Sequence, residues 1–268
     1  MTQVGRTKFD QELQFARSIC LESGPIALKY FGGDLKVHWK EDQTPVTLAD
    51  MQVEEFIVKA IRQQYPDDDI LGEESSHIKG SEYFSCASQN GRRWIIDPID
   101  GTYNFARNIP VFATLLALEV DGQIEVGIIN APAQSEMYWA AKGNGAFKDG
   151  SPIHGSAVSK LDQSQFNFGA PKRILDSGYW SVLRDIVAKT YRQRGLGDYI
   201  SMCHVLEGKA EASLEVGVKP WDLAPFKILA QEAGCVFSDL HGGESIYNGD
   251  CLITNSALHE QFLSFFQR

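Results

Sequence analysis

Asp97 and Asp100 stand where an apolar run, Trp94-Ile95-Ile96, stops abruptly, and Gly101-Thr102 follows them directly. The proline between them, Pro98, holds the backbone extended and turning rather than helical, so both carboxylates can converge on one point. Two carboxylates at close range repel each other unless a cation lies between them. A donor set of carboxylate and carbonyl oxygens suits a hard divalent ion. Mg2+ is the ordinary choice when the protein supplies few ligands and water and phosphate complete the shell. Gly101-Thr102 is expected to open a short helix over 103–107, whose free N–H groups would seat a phosphate beside the metal. The same residues also spell an ordinary turn rich in Asp, Pro and Gly, and taken alone they leave both readings open.

Three other segments place acids in a similar way. Asp69-Ile70-Leu71-Gly72 reads as a short strand running into Glu73-Glu74. Asp50 opens a helix whose apolar face is Val53, Phe56, Ile57, Ala60 and Ile61. Asp222 opens another, with Leu223, Phe226, Ala230 and Ala233 on one face, Pro225 expected within the first turn and Gly234 as the stop. At a helix start an aspartate reads equally well as an N-terminal cap.

The elements that must position these acids follow from periodicity. Phe9, Leu13, Ala16, Ile19 and Cys20 recur at helical spacing, and Gly24-Pro25 is expected to interrupt that helix before a further apolar turn at Leu28 and Phe31. Residues 40–47 read as a loop or loose hairpin, and 75–91 as a surface excursion. Strands are expected at 93–96, 114–120, 124–129 and 137–141, with turns at Asp121-Gly122 and Asp149-Gly150, giving a mostly antiparallel sheet. In the second half, helices are expected at 176–193, 200–208, 222–233 and 256–266, and strands at 165–169, 211–216, 235–240 and 251–254. The fold class is therefore α/β: an α+β layered sandwich with two mainly antiparallel or mixed sheets. With no linker or repeat, sub-lobes of about 9–150 and 151–268 are expected to pack as one domain.

Composition narrows the function. The chain has 268 residues and a net charge of −10, with no basic stripe to neutralise a nucleic-acid backbone. The five cysteines, Cys20, Cys86, Cys203, Cys235 and Cys251, are scattered and form no C-x-x-C pair. No histidine has an i, i+4 partner. No apolar run approaches the length that spans a bilayer, and a cytoplasmic, reducing setting is expected.

Taken together, the acidic segments resemble the inositol monophosphatase superfamily of Mg2+-dependent, lithium-sensitive phosphomonoesterases. The matching stretches are Thr47-Leu48-Ala49-Asp50, Gly72-Glu73-Glu74-Ser75, Trp94 through Phe105, Trp221-Asp222-Leu223-Ala224 and Glu232-Ala233-Gly234, in the family's order and spacing over roughly residues 9 to 265. The resemblance implies two or three Mg2+ ions per site. Glu73, Asp97 and the Ile99 carbonyl would hold the first, and Asp97, Asp100 and Asp222 the second, with Glu73 reaching a weaker third through water. It also implies that Thr102, paired with Asp50, orients or deprotonates the attacking water, and that the Gly101 and Thr102 N–H groups receive phosphate. Glu74 would tune the water around the third ion, or else is a surface acid. A homodimer acting on a small phosphorylated metabolite is implied as well. A catalytically silent binding protein on the same fold is the competing class, and the filled metal and dyad positions argue against it.

The superfamily hosts several substrates, so the fold does not choose among them. Leu196-Gly197-Asp198-Tyr199 departs from the Gly-Ser or Gly-Thr-Ala segment common in inositol monophosphatases. It resembles the histidinol-phosphatase branch, as do Lys40 with Thr44-Pro45-Val46-Thr47 and the run from Ile109 to Leu115. Glu215 lies seven positions before Asp222, where the family places a substrate-contacting acid. Asp198 and Glu215, with Lys40, are thus the expected substrate contacts, and the acid pair would suit a leaving group that carries an ammonium, as L-histidinol phosphate does. Asp198 also reads as a cap of the helix that follows.

Overall fold

The computed structural model describes residues 8–33, 38–39, 45–46, 48–75 and 91–267. In chain order the elements are α1 (Asp10–Tyr30), β1 (His38–Trp39), β2 (Pro45–Val46), α2 (Leu48–Gln64), β3 (Asp69–Gly72), β4 (Arg92–Asp100), α3 (Thr102–Ala106), β5 (Ala113–Val120), β6 (Gln123–Ala131), β7 (Glu136–Ala141), β8 (Ala146–Lys148) and β9 (Ser151–Pro152). The second half adds β10 (Gln165–Phe168), α4 (Pro171–Asp176), α5 (Trp180–Val187), β11 (Arg192–Arg194), α6 (Asp198–Leu206), β12 (Ala212–Val216), α7 (Pro220–Glu232), β13 (Cys235–Ser238), β14 (Asp250–Asn255) and α8 (His259–Leu263).

Strands β3 to β9 form a seven-stranded sheet in sequence order, antiparallel except for the parallel β3–β4 pair. The second sheet is mixed, in the order β11-β10-β12-β14-β13. Side chains alternate across a strand, so each sheet must be covered on both faces if both are apolar. Along β5, Leu116 and Leu118 join α1 and α2 in one core, while Leu115 and Ala117 join α6, α7 and the inner face of the second sheet in another. The outer face of the second sheet, with Phe166, Leu214 and Leu252, packs against α4, α5 and α8. The layers therefore run helix, sheet, helix, sheet, helix.

Helix α7 is buried almost all round because it lies between two sheets, and a one-sided apolar stripe understates it. At Gly127 on β6 a Cβ would meet the Pro225 carbonyl oxygen at 2.8 Å and Ile228 Cγ2 at 2.6 Å. Glycine there lets the helix backbone rest on the strand.

Three expectations need correction. Helix α1 is continuous through Pro25. Pro25 deprives the Leu21 carbonyl of its helical donor, and one residue earlier the Cys20 carbonyl accepts from Asn130 Nδ2 at 2.7 Å and Ser23 Oγ at 2.9 Å. Pro225 lies in the second turn of α7, not the first, because the helix begins at Pro220. Residues 176–193 do not form one helix. Gly178 takes φ +81 between α4 and α5, and 192–194 leave as an edge strand parallel to β10. The pair β1–β2 brackets the expected loose hairpin, most of which, with the expected surface excursion beyond Ser75, lies outside the described residues.

Candidate metal and phosphate site

Asp97 and Asp100 belong to one strand, and three positions apart on a regular strand they would point to opposite faces. The register of β4 against β5 shifts between Asp97 and Asp100, where Pro98 has no N–H to give to the ladder and its carbonyl instead accepts from Thr114 Oγ1 at 2.9 Å. This bulge turns both carboxylates to the same side. Asp222 arrives from the start of α7, and ligand oxygens of Asp97, Asp100 and Asp222 all lie within 4.8 Å of one another. Asp222 is not the N-cap its sequence position suggested: α7 begins at Pro220, and from the third helical position Asp222 Oδ2 accepts from the N-cap Lys219 N at 2.7 Å, one arm of a capping box. Capping and cluster membership are compatible because a carboxylate has two oxygens.

These acids line a cavity of about 490 Å³, together with Glu73, Ile99, Gly101, Thr102, Asp198, Glu215 and the guanidinium-bearing Arg173. Glu73 comes from the end of β3, parallel and adjacent to β4. Asp50 is fully buried on the first turn of α2 and does not reach the cavity wall. It meets the site through Thr102, whose Oγ1 lies 3.3 Å from Asp50 Oδ1 and 2.8 Å from the Ile99 carbonyl oxygen. One hydroxyl proton thus has two acceptors, one of them an expected ligand. Gly101 takes φ +83, and a Cβ there would approach the Val111 carbonyl oxygen to 2.8 Å, so glycine is required for α3 to start at this point. Glu74 is absent from the cavity wall; its backbone N–H is held elsewhere. Lys40 lies outside the described residues.

Beside Gly101, Asp198 opens α6 with φ +50, and its Oδ2 accepts from Asn104 Nδ2 at 2.7 Å. The next N–H, of Tyr199, donates to Asp100 Oδ2 at 2.7 Å, which ties α6 to the acidic cluster. Asp198 therefore does not cap its helix through its side chain. Glu215, on β12, is buried, and its Oε1 has no hydrogen-bond partner among the described residues.

The electrostatics are those of several anions kept from water, with Arg173 the counter-charge that acts on Asp198, Glu215 and Asp222. Burial, then repulsion by Glu73, Asp100 and Asp222, raises Asp97 well above the carboxylate range. Burial, then Asp198 and Asp222, raises Asp100, against the Tyr199 N–H. Burial, then Asp198, raises Glu215, against Arg173. Burial likewise pushes Asp222 up to about 6, despite the Lys219 N–H. Asp97 Oδ1 is buried without a hydrogen-bond partner among the described residues, and the cluster's donors are all oxygens. Such a cluster can bind a metal cation, and the residues present fit a hard one.

These shifts fix a pH dependence. A carboxyl group whose pKa is higher in the folded than in the unfolded chain binds more protons when folded, so stability falls as pH rises from the unfolded value towards the folded one. For Asp222 that window runs from its ordinary 3.8 to about 6. The metal-free protein is expected to lose melting temperature from pH 4 upward through this window. Half-buried His204 and buried His259, whose pKa values are lowered mainly by burial, act in the opposite sense near neutrality. A divalent cation favours the ionised carboxylates, so the rise in melting temperature on adding Mg2+ should grow with pH. Thermal melts with and without Mg2+ across pH 5 to 8 check this, because the histidine contribution cancels in the difference; a Mg2+ effect that is absent or constant with pH would contradict it.

Two groups at the site were not anticipated from sequence. Arg173 follows from Pro171 at the first position of α4, a helix-start signal that a helix beginning at 176 obscures. Asn104 joins Asp198 to the Val111 carbonyl, and only the tertiary fold shows that link.

A profile of the inositol monophosphatase family matches residues 9–268. The chain is 37% identical over 255 residues to a histidinol-phosphatase of Chlorobaculum parvum, covering 94% of this chain and 95% of that protein. It is 36% identical over 243 residues to an inositol monophosphatase of Dictyostelium discoideum, covering 88% and 87%. Among solved structures, the extragenic suppressor protein suhB of Bartonella henselae superposes with a TM-score of 0.86 at 25% identity, covering 97% of this chain and 99% of that one.

Proposed function

Because the chain belongs to the inositol monophosphatase family of phosphatases, we propose that it hydrolyses L-histidinol phosphate to L-histidinol and phosphate, with Mg2+ held by its acidic cluster. The observation that carries the substrate is Glu215: a buried carboxylate on the cavity wall, close enough to Asp198 to be repelled by it, with one oxygen lacking a donor among the described residues. An ammonium on the leaving group would supply that donor and offset the charge. The relatives named histidinol-phosphatase support the same reading.

In this reading Glu73, Asp97, the Ile99 carbonyl, Asp100 and Asp222 hold two or three Mg2+ ions. When bound, these neutralise the phosphate oxygens, favour ionisation of water and stabilise the departing alkoxide. The protein's own part is positional. The Gly101 and Thr102 N–H groups receive a phosphate oxygen at the start of α3. Thr102 Oγ1, by donating its proton to Asp50, presents a lone pair that orients the attacking water and draws on its proton. Water adds to phosphorus as one of its protons passes by way of Thr102 Oγ1 towards Asp50, the ester P–O bond breaks, and the departing alkoxide takes a proton from water to become the alcohol. Glu74 acts on water at the edge of the site, and Lys40 on the substrate. Within the described residues no helix is long and apolar enough to cross a membrane; a cytoplasmic homodimer, acting on a small metabolite and not on nucleic acid, completes the proposal.

Inositol 1-phosphate is the second reading, and Arg173 favours it. A guanidinium already facing Asp198 and Glu215 lessens the need for a cationic substrate. Side-by-side turnover of L-histidinol phosphate, inositol 1-phosphate, fructose 1,6-bisphosphate and adenosine 3',5'-bisphosphate decides between them. Charge-assisted hydrogen bonds are worth roughly 1.5 to 3 kcal/mol, so Asp198→Asn and Glu215→Gln should each cost about tenfold or more in kcat/KM on histidinol phosphate. They should matter little on a neutral aryl phosphate. Faster turnover of inositol 1-phosphate, or equal losses on both esters, overturns the histidinol assignment.

A further inference from the structure

The acidic cluster leaves unexplained what holds Glu73 in place. Asp97 and Asp100 sit within a central strand and Asp222 on a helix between two sheets, but Glu73 follows the last residue of β3 and begins a helical turn at 73–75. The first N–H groups of a helix have no partners within it. Here two of them, of Glu74 and Ser75, donate to Glu54 Oε2 and Oε1, each at 2.8 Å. Glu54 comes from α2, is 4% exposed, and reaches the turn only because residue 72 is glycine. A Cβ on Gly72 would meet the Glu54 carboxyl atoms at 2.6 to 2.7 Å. Glu54 also lies one helical turn after Asp50, the residue on which Thr102 Oγ1 converges.

We infer that Glu54 is a positioning residue for the metal site, a two-oxygen clamp that fixes the turn presenting Glu73. It touches neither the cavity nor the expected ions. Through it one short stretch of α2 sets two parts of the site: Asp50 orients the hydroxyl at the end of β4, and Glu54 orients the ligand at the end of β3. Gly72 is the complementary half of the device, a gap shaped for the carboxylate. A surface acid would not be buried with both oxygens taken by consecutive backbone N–H groups, and a purely structural cap would have no reason to sit beside a ligand.

This inference rests on the metal reading, and the test separates the two. Mn2+ binding is followed by the loss of its free-ion resonance signal in titrations of the wild type, Glu54→Gln and Gly72→Ala, alongside melting temperatures and the Mg2+ concentration giving half-maximal turnover. Replacing a glutamate oxygen by an amide puts a donor against a donor, and the alanine methyl displaces the clamp with no change of charge. Loss of a group that orients a metal ligand typically weakens binding about 10- to 100-fold, and both variants should bind Mn2+ at least tenfold more weakly. Their Mg2+ requirement should rise in parallel, and excess Mg2+ should restore most of the turnover. Wild-type Mn2+ affinity in a folded variant of either kind, with only a lower melting temperature, overturns the clamp. Failure of the wild type to take up Mn2+ overturns the metal reading beneath it.

Discussion

Asp97→Asn should abolish turnover and, in the absence of Mg2+, raise the melting temperature. Asp97 is 2% exposed, faces Glu73, Asp100 and Asp222, and has one oxygen without a partner among the described residues. In the proposed reading it would also serve as a ligand to both ions. Asparagine keeps the shape and removes the charge. Without metal that relieves repulsion, so the folded state gains; with metal it removes a ligand from both ions. Losing one preorganised electrostatic contact to a transition state costs about 10²- to 10³-fold in kcat, and a bridging ligand should lie at or beyond that range. The opposed signs make the experiment decisive, because an inactive variant that melts higher is not inactive through unfolding. Near wild-type turnover by Asp97→Asn, or wild-type turnover in excess chelator, would remove the metal from the proposal.

Thr102→Ala and Asp50→Asn should each lower kcat by a factor on the order of 10² to 10⁴, the range of a positioned proton-transfer group, while leaving Mn2+ binding and melting temperature nearly unchanged. Asp50 is wholly buried at the start of α2, where a capping role alone predicts almost no effect, since asparagine caps about as well as aspartate. The contact that separates the readings is the 3.3 Å approach of Thr102 Oγ1. The introduced amide would keep an acceptor oxygen but lose the charge that draws the hydroxyl proton away from Ile99. Asp50→Asn kinetics, measured with the melt of the same protein, distinguish a cap from a dyad. A variant with unchanged kcat would return Asp50 to capping.

The acids of the cluster were legible because each interrupts a pattern: an apolar run ends at Asp97, a short strand at Glu73, and an amphipathic helix begins at Asp222. What the pattern does not contain is the bulge at Pro98, which decides whether Asp97 and Asp100 converge or diverge, and which depends on pairing with β5. Local rules also mistook two prolines. Pro25 and Pro225 both lie inside helices packed closely on β6, where Asn130 bonds the Cys20 carbonyl and Gly127 faces the Pro225 carbonyl, contacts that no local rule contains. The helix expected at 176–193 takes in Gly178, α5 and the start of the edge strand, because apolar periodicity alone marks neither break. Glu54 and Arg173 escaped notice for a different reason. Their meaning lies in what they face across the fold, and a charged residue on a helix carries no sequence mark of that.

Asp198 illustrates how the site bears on the protein's evolution. Its backbone φ of +50, directly after Gly197 at φ +65, belongs to a region where a side chain is tolerated and glycine is at ease. Glycine at 198 would relieve that conformation, but it would also enlarge the freedom of the unfolded chain and give up the bond from Asn104. The chain nonetheless keeps a carboxylate there, bonded to Asn104 and close to the cluster. On the proposed reading, this residue answers to two demands at once, the backbone geometry of the helix start and the charge offered to the substrate, so relatives on the same scaffold could differ here in what they hydrolyse.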